Sequence, residues 1–177
     1  MKIGIMGTHG TGKSGLALKM AAQLKADHPG EQVGIVSEVA RDCPHPVNRD
    51  TTEIAQRWIW HMQFIREIEA QGKHEIVVCD RTVLDSLAYS QVAGLNRWVN
   101  ANLWDAVQWM ETYDVIWFLR PGDEGPALWR DTGGFRTRPY DDGFRDTNPG
   151  FQKEVDRVLA VWVRTWQIRA LYVGDGK

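Results

Sequence analysis

An α/β fold, with a parallel sheet buried between helices on both faces, is what this sequence predicts. Three observations carry the prediction. Five short apolar runs alternate with segments of helical spacing, the order that right-handed βαβ crossovers produce. The runs are almost uniformly apolar, as strands covered on both faces must be. The first run leads into Gly7-Thr8-His9-Gly10-Thr11-Gly12-Lys13-Ser14, a G-x-x-x-x-G-K-S segment between a first strand and a first helix.

The elements follow in order. Lys2–Met6 reads as a buried strand, and residues 13–26 as a helix with Leu16, Met20, Ala21 and Leu24 at helical spacing. His28-Pro29-Gly30 stops that helix, and residues 33–38 form a second apolar strand. Residues 41–50, with Pro44 and Pro46, read as loop. Asp50 is placed to cap a long helix, with Glu53 completing a capping-box-like arrangement and Ile54, Trp58, Met62, Ile65 and Ile68 as its apolar stripe. Gln71-Gly72-Lys73 ends it. Residues 75–79 are a third strand, closed by Asp80-Arg81. Residues 83–93 and 96–112 read as helices, the second carrying Val99, Leu103, Ala106, Val107 and Met110 on one side. Val115–Leu119 is a fourth strand. Residues 120–147 show no period and are rich in Arg, acids and Gly, the composition of a functional lid; Gly133, Gly134 and Gly143 supply hinge freedom. Asn148 caps and Pro149 opens a last helix reaching about Ile168, and residues 171–173 are a fifth strand. With no linker or repeat, residues 1–177 read as one domain with a lid at about 121–147.

Composition narrows the function classes. A net charge of −2 argues against duplex nucleic acid and anionic membranes as partners. No apolar run approaches the roughly 18–20 residues of a membrane helix, and the N-terminus is strand-like without a secretory segment. Cys43 and Cys79 define neither a metal site nor a disulfide framework, so a reducing cytoplasm is the expected location. No Lys occurs between Lys73 and Lys153, where Arg97, Arg120, Arg130, Arg136, Arg138 and Arg145 do. Arginine grips phosphate in planar, bidentate fashion, although codon bias produces the same pattern. The nine Trp residues read mostly as core, Trp58, Trp117 and Trp162 lying in apolar patterns, with Trp60 or Trp129 as candidates for stacking on a base or lining an interface. The sequence leaves homo-oligomerisation open.

In a parallel sheet, ligands bind beyond the carboxyl ends of the strands. That rule selects residues 7–14, Glu38 to Arg41, Asp80-Arg81 and the stretch from Arg120 onward. In the first, the glycines let the backbone turn tightly against a polyphosphate while loop amides and a helix N-terminus supply donors. His9, Gly10, Thr11, Gly12, Lys13, Ser14 and Gly15 are therefore the expected ATP-phosphate contacts. His9 would contribute its amide rather than its imidazole. Lys13 would reach the β- and γ-phosphates, and the Ser14 hydroxyl would ligate Mg²⁺. Asp80 stands where an acidic residue holds Mg²⁺ through water or activates an acceptor hydroxyl; a simple capping role is the alternative. Arg81 is expected to clamp a phosphate, with an ion pair to Asp80 or Asp85 as the rival. Glu38 is a candidate base or sugar ligand, unless it merely pairs with Arg41. Gln56 and Gln63 lie nearly on one helix face, where an amide can read a base edge, although solvation alone explains a glutamine on a helix. Arg136, Arg138 and Arg145, with Arg130, are candidates to close over a migrating phosphoryl group, the remainder pairing with Asp131, Asp141 and Asp142.

These residues carry a resemblance. The chain resembles P-loop kinases of the nucleoside and nucleotide kinase type. More narrowly, it is similar to the small AAA-labelled ATPases related to the nicotinamide-riboside kinase domain of the bacterial NAD regulator. Besides residues 7–14, the matching pieces are Ser37-Glu38-Val39-Ala40-Arg41, Gln63 with Glu67, Cys79-Asp80-Arg81-Thr82 followed by Asp85, and Asp142-Gly143-Phe144-Arg145 ahead of Phe151-Gln152. The resemblance implies a three-layer P-loop fold with strand order 2-3-1-4-5. It implies that Glu38 or Asp80 contacts the acceptor hydroxyl, and that Arg81 and lid arginines hold phosphates. The chain ends soon after residues 171–173 without a nucleotidyltransferase domain, so a single activity is expected.

The sequence therefore points to an ATP- and Mg²⁺-dependent kinase. Its acceptor would be a small nucleoside, a nucleoside monophosphate or a related molecule bound by Glu38, Arg41, Gln63 and Arg81. A neutral nucleoside favours Glu38 as base, whereas a monophosphate favours Arg41 and Arg81 as anion clamps. Two rival readings remain: a nucleotide-dependent ATPase or switch acting on a protein partner, and a polynucleotide end kinase. The arginine-rich stretch argues against the first and the net charge against the second.

Overall fold

In the computed structural model, residues 1–121 and 148–173 are described. The strands β1 (Lys2–Met6), β2 (Val33–Val36), β3 (Ile76–Asp80), β4 (Val115–Leu119) and β5 (Ala170–Val173) form one sheet of order β2-β3-β1-β4-β5. Every pairing is parallel, with Ile5 opposite both Asp80 and Trp117. The intervening helices are α1 (Lys13–Asp27), α2 (Glu53–Gln71), α3 (Val83–Val92), α4 (Asn96–Met110) and α5 (Pro149–Thr165).

Alternation along the strands splits the core between the two faces of the sheet. Ile3 and Ile5 of β1 join Val78 and the α1 residues Leu16, Ala17 and Ala21 in one cluster. Met6, Val77 and Cys79 belong to the larger cluster opposite, with Leu84, Leu87, Met110, Val155 and Leu159 from α3, α4 and α5. Both faces are thus covered, which is why the strands are apolar throughout.

Several boundaries shift, with consequences for the site. β2 ends at Val36, two residues earlier than the sequence suggested. Ser37 and Glu38 thereby leave the sheet, and Glu38 opens a 3₁₀ turn over Val39–Asp42. β3 runs one residue further, so that Asp80 is its last member.

Two readings of α2 need correction. Its N-cap is Thr52, whose side chain accepts the Ala55 N–H at 3.3 Å, and not Asp50, which sits in a separate 3₁₀ turn at Asn48–Asp50. Glu53 pairs with Arg57 instead of completing a capping box. The apolar stripe is also the wrong face: Ile54, Ile65 and Ile68 are 59%, 45% and 56% exposed. The buried face carries Ala55, Gln56, Ile59, Trp60, Gln63 and Glu67. It is polar because part of it lines a cleft and part holds a buried ion pair. Trp60, a candidate for stacking on a ligand, is core, packed against Phe64 and Trp98. Trp58, Trp117 and Trp162 are only partly buried.

No helix among the described residues is long and apolar enough to cross a membrane. The proposed lid falls almost wholly on residues 122–147. Those residues, and with them Trp129, Arg130, Arg136, Arg138 and Arg145, lie outside the described ones.

Candidate active site

The loop between β1 and α1 is shaped by glycine where nothing else fits. Gly7 has φ +141°, and a Cβ there would come within 2.2 Å of the Leu119 carbonyl oxygen. Gly10 and Gly12 have φ +76° and +84°, in the left-handed region that side chains disfavour. Gly12 is the N-cap of α1 and offers no side-chain cap, so the first turn keeps its amides for an external acceptor. Ser14, half-buried, and exposed Gly15 follow in that turn.

Lys13 is buried at the centre of this loop. Its Nζ donates to the Thr8 carbonyl oxygen at 2.5 Å and to Thr11 Oγ1 at 3.4 Å, while the Thr11 hydroxyl donates to the same carbonyl. Burial, aided by the charge of Arg81, lowers the ammonium to a pKa of about 8, against the opposing pull of Asp85, Asp80 and Glu38. An arriving polyphosphate would supply the anionic partner that this cation lacks among the described residues.

Two further side chains hold the loop in shape. Asp85 Oδ1 accepts the Gly7 N–H at 2.9 Å, and Oδ2 accepts the amide and hydroxyl of Thr82, each at 2.8 Å. One carboxylate thus caps α3 and fixes the start of the phosphate loop. His9 anchors its crest. Its N–H donates to the Tyr89 hydroxyl at 2.8 Å, its carbonyl accepts from Gln152 at 2.6 Å, and its ring stacks on Phe151. The His9 amide, expected to meet phosphate, is turned toward Tyr89 in this structure.

The acceptor side begins at the end of β2. Glu38 Oε1 receives Arg81 Nε at 2.6 Å and Nη2 at 2.5 Å, and Oε2 receives Arg41 Nε at 3.1 Å. Neither rival pairing suffices, because Glu38 binds both arginines and Arg81 stands 3.8 Å from Asp85. Burial pushes the Glu38 carboxyl upward, but Arg81, Lys13 and Arg41 together outweigh it and bring the pKa down to about 2. Lys13 and Glu38 thus share one electrostatic field. Arg81 is a non-glycine residue at φ +95°, a costly conformation, and its guanidinium lies over the Tyr89 ring at 5.1 Å.

Between α2 and these charges lies a cleft of about 500 Å³, mouth included, lined by Glu38, Val39, Gln56, Ile59, Gln63, Arg81 and Tyr89 among others. Both glutamines singled out from the sequence reach it. Asp80 stands behind it at the end of β3, with Oδ1 buried and without a hydrogen-bond partner. Five buried side-chain atoms lack partners among the described residues, and three of them, on Gln56, Asp80 and Arg81, cluster here. Such atoms mark places where a ligand or ion completes the bonding.

Two roles escaped sequence reasoning, that of Asp85, which entered only as a rival partner of Arg81 and as part of a matching segment, and that of Tyr89. Asp85 sits three residues after Thr82, a capping-box spacing that could have drawn attention to it. Tyr89 has no local signal at all, since its role depends on α3 packing beside the phosphate loop.

Comparison with known proteins agrees with this architecture. The family model described as an AAA domain matches residues 2–176. Among curated proteins none matches significantly. Among solved structures, the deoxyadenosine kinase of M. mycoides is similar in fold. The form with the products dCMP and dCDP bound superposes with a TM-score of 0.64 at 16% identity, covering 98% of this chain and 90% of that one. The dATP-bound form gives 0.64 at 18% identity, with the same coverage. The dCTP-bound form gives 0.63 at 14% identity, covering 98% and 89%.

Proposed function

The chain belongs to the family of AAA domains, and on that premise we propose that it is an ATP- and Mg²⁺-dependent kinase that phosphorylates a hydroxyl of a small nucleoside. The observation that carries this reading is the cleft, where an ionised, doubly arginine-bound Glu38 stands in the field of the phosphate-loop lysine. The similar fold of a deoxyadenosine kinase supports it.

A nucleoside is favoured over a monophosphate because Arg41 and Arg81 both direct Nε at Glu38. A carboxylate held ionised between two arginines can accept a hydrogen bond from a hydroxyl, and the Nε donors that bind it are turned away from an incoming phosphate. Lys13, Ser14 and the amides opening α1 would hold the donor phosphates, and Ser14 with the orphaned oxygen of Asp80 would hold Mg²⁺. The ion would supply charge neutralisation along the β- and γ-phosphates. In transfer, the bond from the γ-phosphorus to the ADP oxygen breaks and one to the acceptor oxygen forms. Glu38, with a pKa of about 2, orients the acceptor hydroxyl by accepting its hydrogen bond. Full proton transfer can come late, because the transition state is loose and needs little nucleophilic assistance. Arg136, Arg138 and Arg145 are proposed, on the sequence argument alone, to supply positive charge to the migrating group.

The test is ADP release with ATP·Mg²⁺ and a panel of nucleosides, deoxynucleosides and their monophosphates, with Lys13→Ala as blank. Removing a preorganised cation of this kind costs about 10²–10³-fold in rate, so turnover with a nucleoside should collapse in the variant. Turnover confined to monophosphates would reassign Arg41 and Arg81 as anion clamps. Nucleotide binding with no acceptor-dependent turnover would sink the kinase reading.

A further inference from the structure

Glu38 and the crest of the phosphate loop both stand off the sheet. Glu38 lies beyond the end of β2, and the loop leaves β1 after Met6. Strand pairing therefore fixes neither group, and a helix holds a site more precisely than a loop does. The helix that touches both is α3, where residues 83–85 and 87–90 are buried.

Asp85 and Tyr89 lie four residues apart, on one face of that helix. Each meets the phosphate loop and Arg81 alike. Asp85 holds the Gly7 N–H and stands 3.8 Å from Arg81 Nη1. The Tyr89 hydroxyl receives the His9 N–H at 2.8 Å and lies 2.9 Å from His9 Nδ1. On the other side, the Arg81 guanidinium lies over the Tyr89 ring at 5.1 Å and grips Glu38. A continuous line of contacts thus runs from the acceptor-side carboxylate to the crest of the phosphate loop. Tyr89, which also lines the cleft, is the middle of that line.

Resting on the nucleoside-kinase reading, we propose that Tyr89 is a positioning residue that sets the separation between the phosphate loop and the Glu38–Arg81 pair. It would thereby set the approach of the acceptor hydroxyl to the γ-phosphate. Phosphoryl transfer depends almost wholly on positioning, so a loosened register costs rate more than affinity. His9 has two further anchors, the Gln152 amide on its carbonyl at 2.6 Å and the Phe151 ring stacked on its own. Without the Tyr89 hydroxyl the loop still forms and still binds ATP, but it is no longer tied to the cleft.

The test is steady-state kinetics of Tyr89→Phe, with ATP·Mg²⁺ and a nucleoside that the native protein phosphorylates. The variant keeps a ring beneath Arg81 and removes only the hydroxyl. Its kcat should fall about tenfold or more, while KM for ATP and KM for the nucleoside each stay within about threefold of native. A residue that merely supports the fold would lower the thermal midpoint, or raise KM for ATP, and leave kcat alone. His9→Ala keeps the amide but removes the ring nitrogen beside the hydroxyl. It should show the same split more weakly, with kcat down about threefold or more, and it decides if Tyr89→Phe does not fold. The double variant should lose little more than Tyr89→Phe alone, because both changes act through one contact. A smaller loss of kcat in Tyr89→Phe, or one matched by a rise in KM for ATP, overturns the proposal and leaves the kinase reading standing. If the native protein phosphorylates no nucleoside, that reading fails and takes this proposal with it.

Discussion

Two clusters of buried charge stand at opposite ends of β1, and they differ in how completely they are satisfied. At the amino end, Lys2 is 1% exposed and Glu67 0%, and every contact is made. The ammonium bonds Glu67 and Thr112 and lies over the rings of Trp109 and Tyr113, while the carboxylate collects four donors. At the carboxyl end, Lys13, Glu38, Asp80, Arg81 and Asp85 crowd together with two atoms unpartnered, a lysine lowered to about 8 and an arginine at positive φ. A saturated cluster has nothing left to offer a ligand, so it is structural. An unsaturated one stores the desolvation cost that a ligand relieves. Gln63 touches both, donating to Glu67 Oε1 at 2.8 Å and to the Arg81 carbonyl oxygen at 3.4 Å, which is how the rigid end lends its order to the working end.

The largest effect that tests this contrast is at the rigid end. Lys2→Met strands a carboxylate in the core and should destabilise the fold by about 3–5 kcal/mol, the usual cost of breaking a buried pair. Urea unfolding reads this directly, and a loss under 1 kcal/mol would mean that the network is looser than its geometry.

The next effect is acid lability at the working end. The folded pKa of Glu38 is about 2 against an ordinary 4.5, so its stabilising contribution is present above pH 4.5 and lost as the pH falls through 2. By linkage the contribution amounts to roughly 3 kcal/mol at neutral pH. Unfolding curves between pH 5 and pH 2 should therefore steepen in the native protein relative to Glu38→Gln. Parallel curves would show that Arg81 and Arg41 do not hold the carboxylate as drawn.

A smaller effect is expected at Asp85, within the working end. Asp85→Asn keeps the shape but puts an amide nitrogen where Gly7 or Thr82 needs an acceptor, and should cost about 1–3 kcal/mol. ATP affinity should fall with it, because the phosphate loop loses its tether. Unchanged ATP binding in a destabilised variant would make Asp85 a helix cap only.

Much of the frame was legible from local pattern. Strand runs, the phosphate-loop spacing, the α5 cap at Asn148 and the alternating order are all short-range signals, and the structure carries them. The pairing of Glu38 with Arg81, forty-three residues on, was not legible. Either partner alone admitted several roles, and only the parallel pairing of β2 and β3 brings their ends together. The face of α2 was misread for a related reason. Hydropathy assigns Ile54, Ile65 and Ile68 to the core, yet Gln56, Gln63 and Glu67 are the buried ones because each has a partner or a cleft to meet.

By itself, then, the sequence determined the sheet, its crossovers and the phosphate loop, because periodicity and glycine spacing act over a few residues. Only the tertiary structure decided which charges meet, which glutamine is locked and which lysine bonds a backbone carbonyl and a hydroxyl in place of a carboxylate. Those outcomes depend on distances between elements far apart in the chain, where the low dielectric of the core sets the value of each contact.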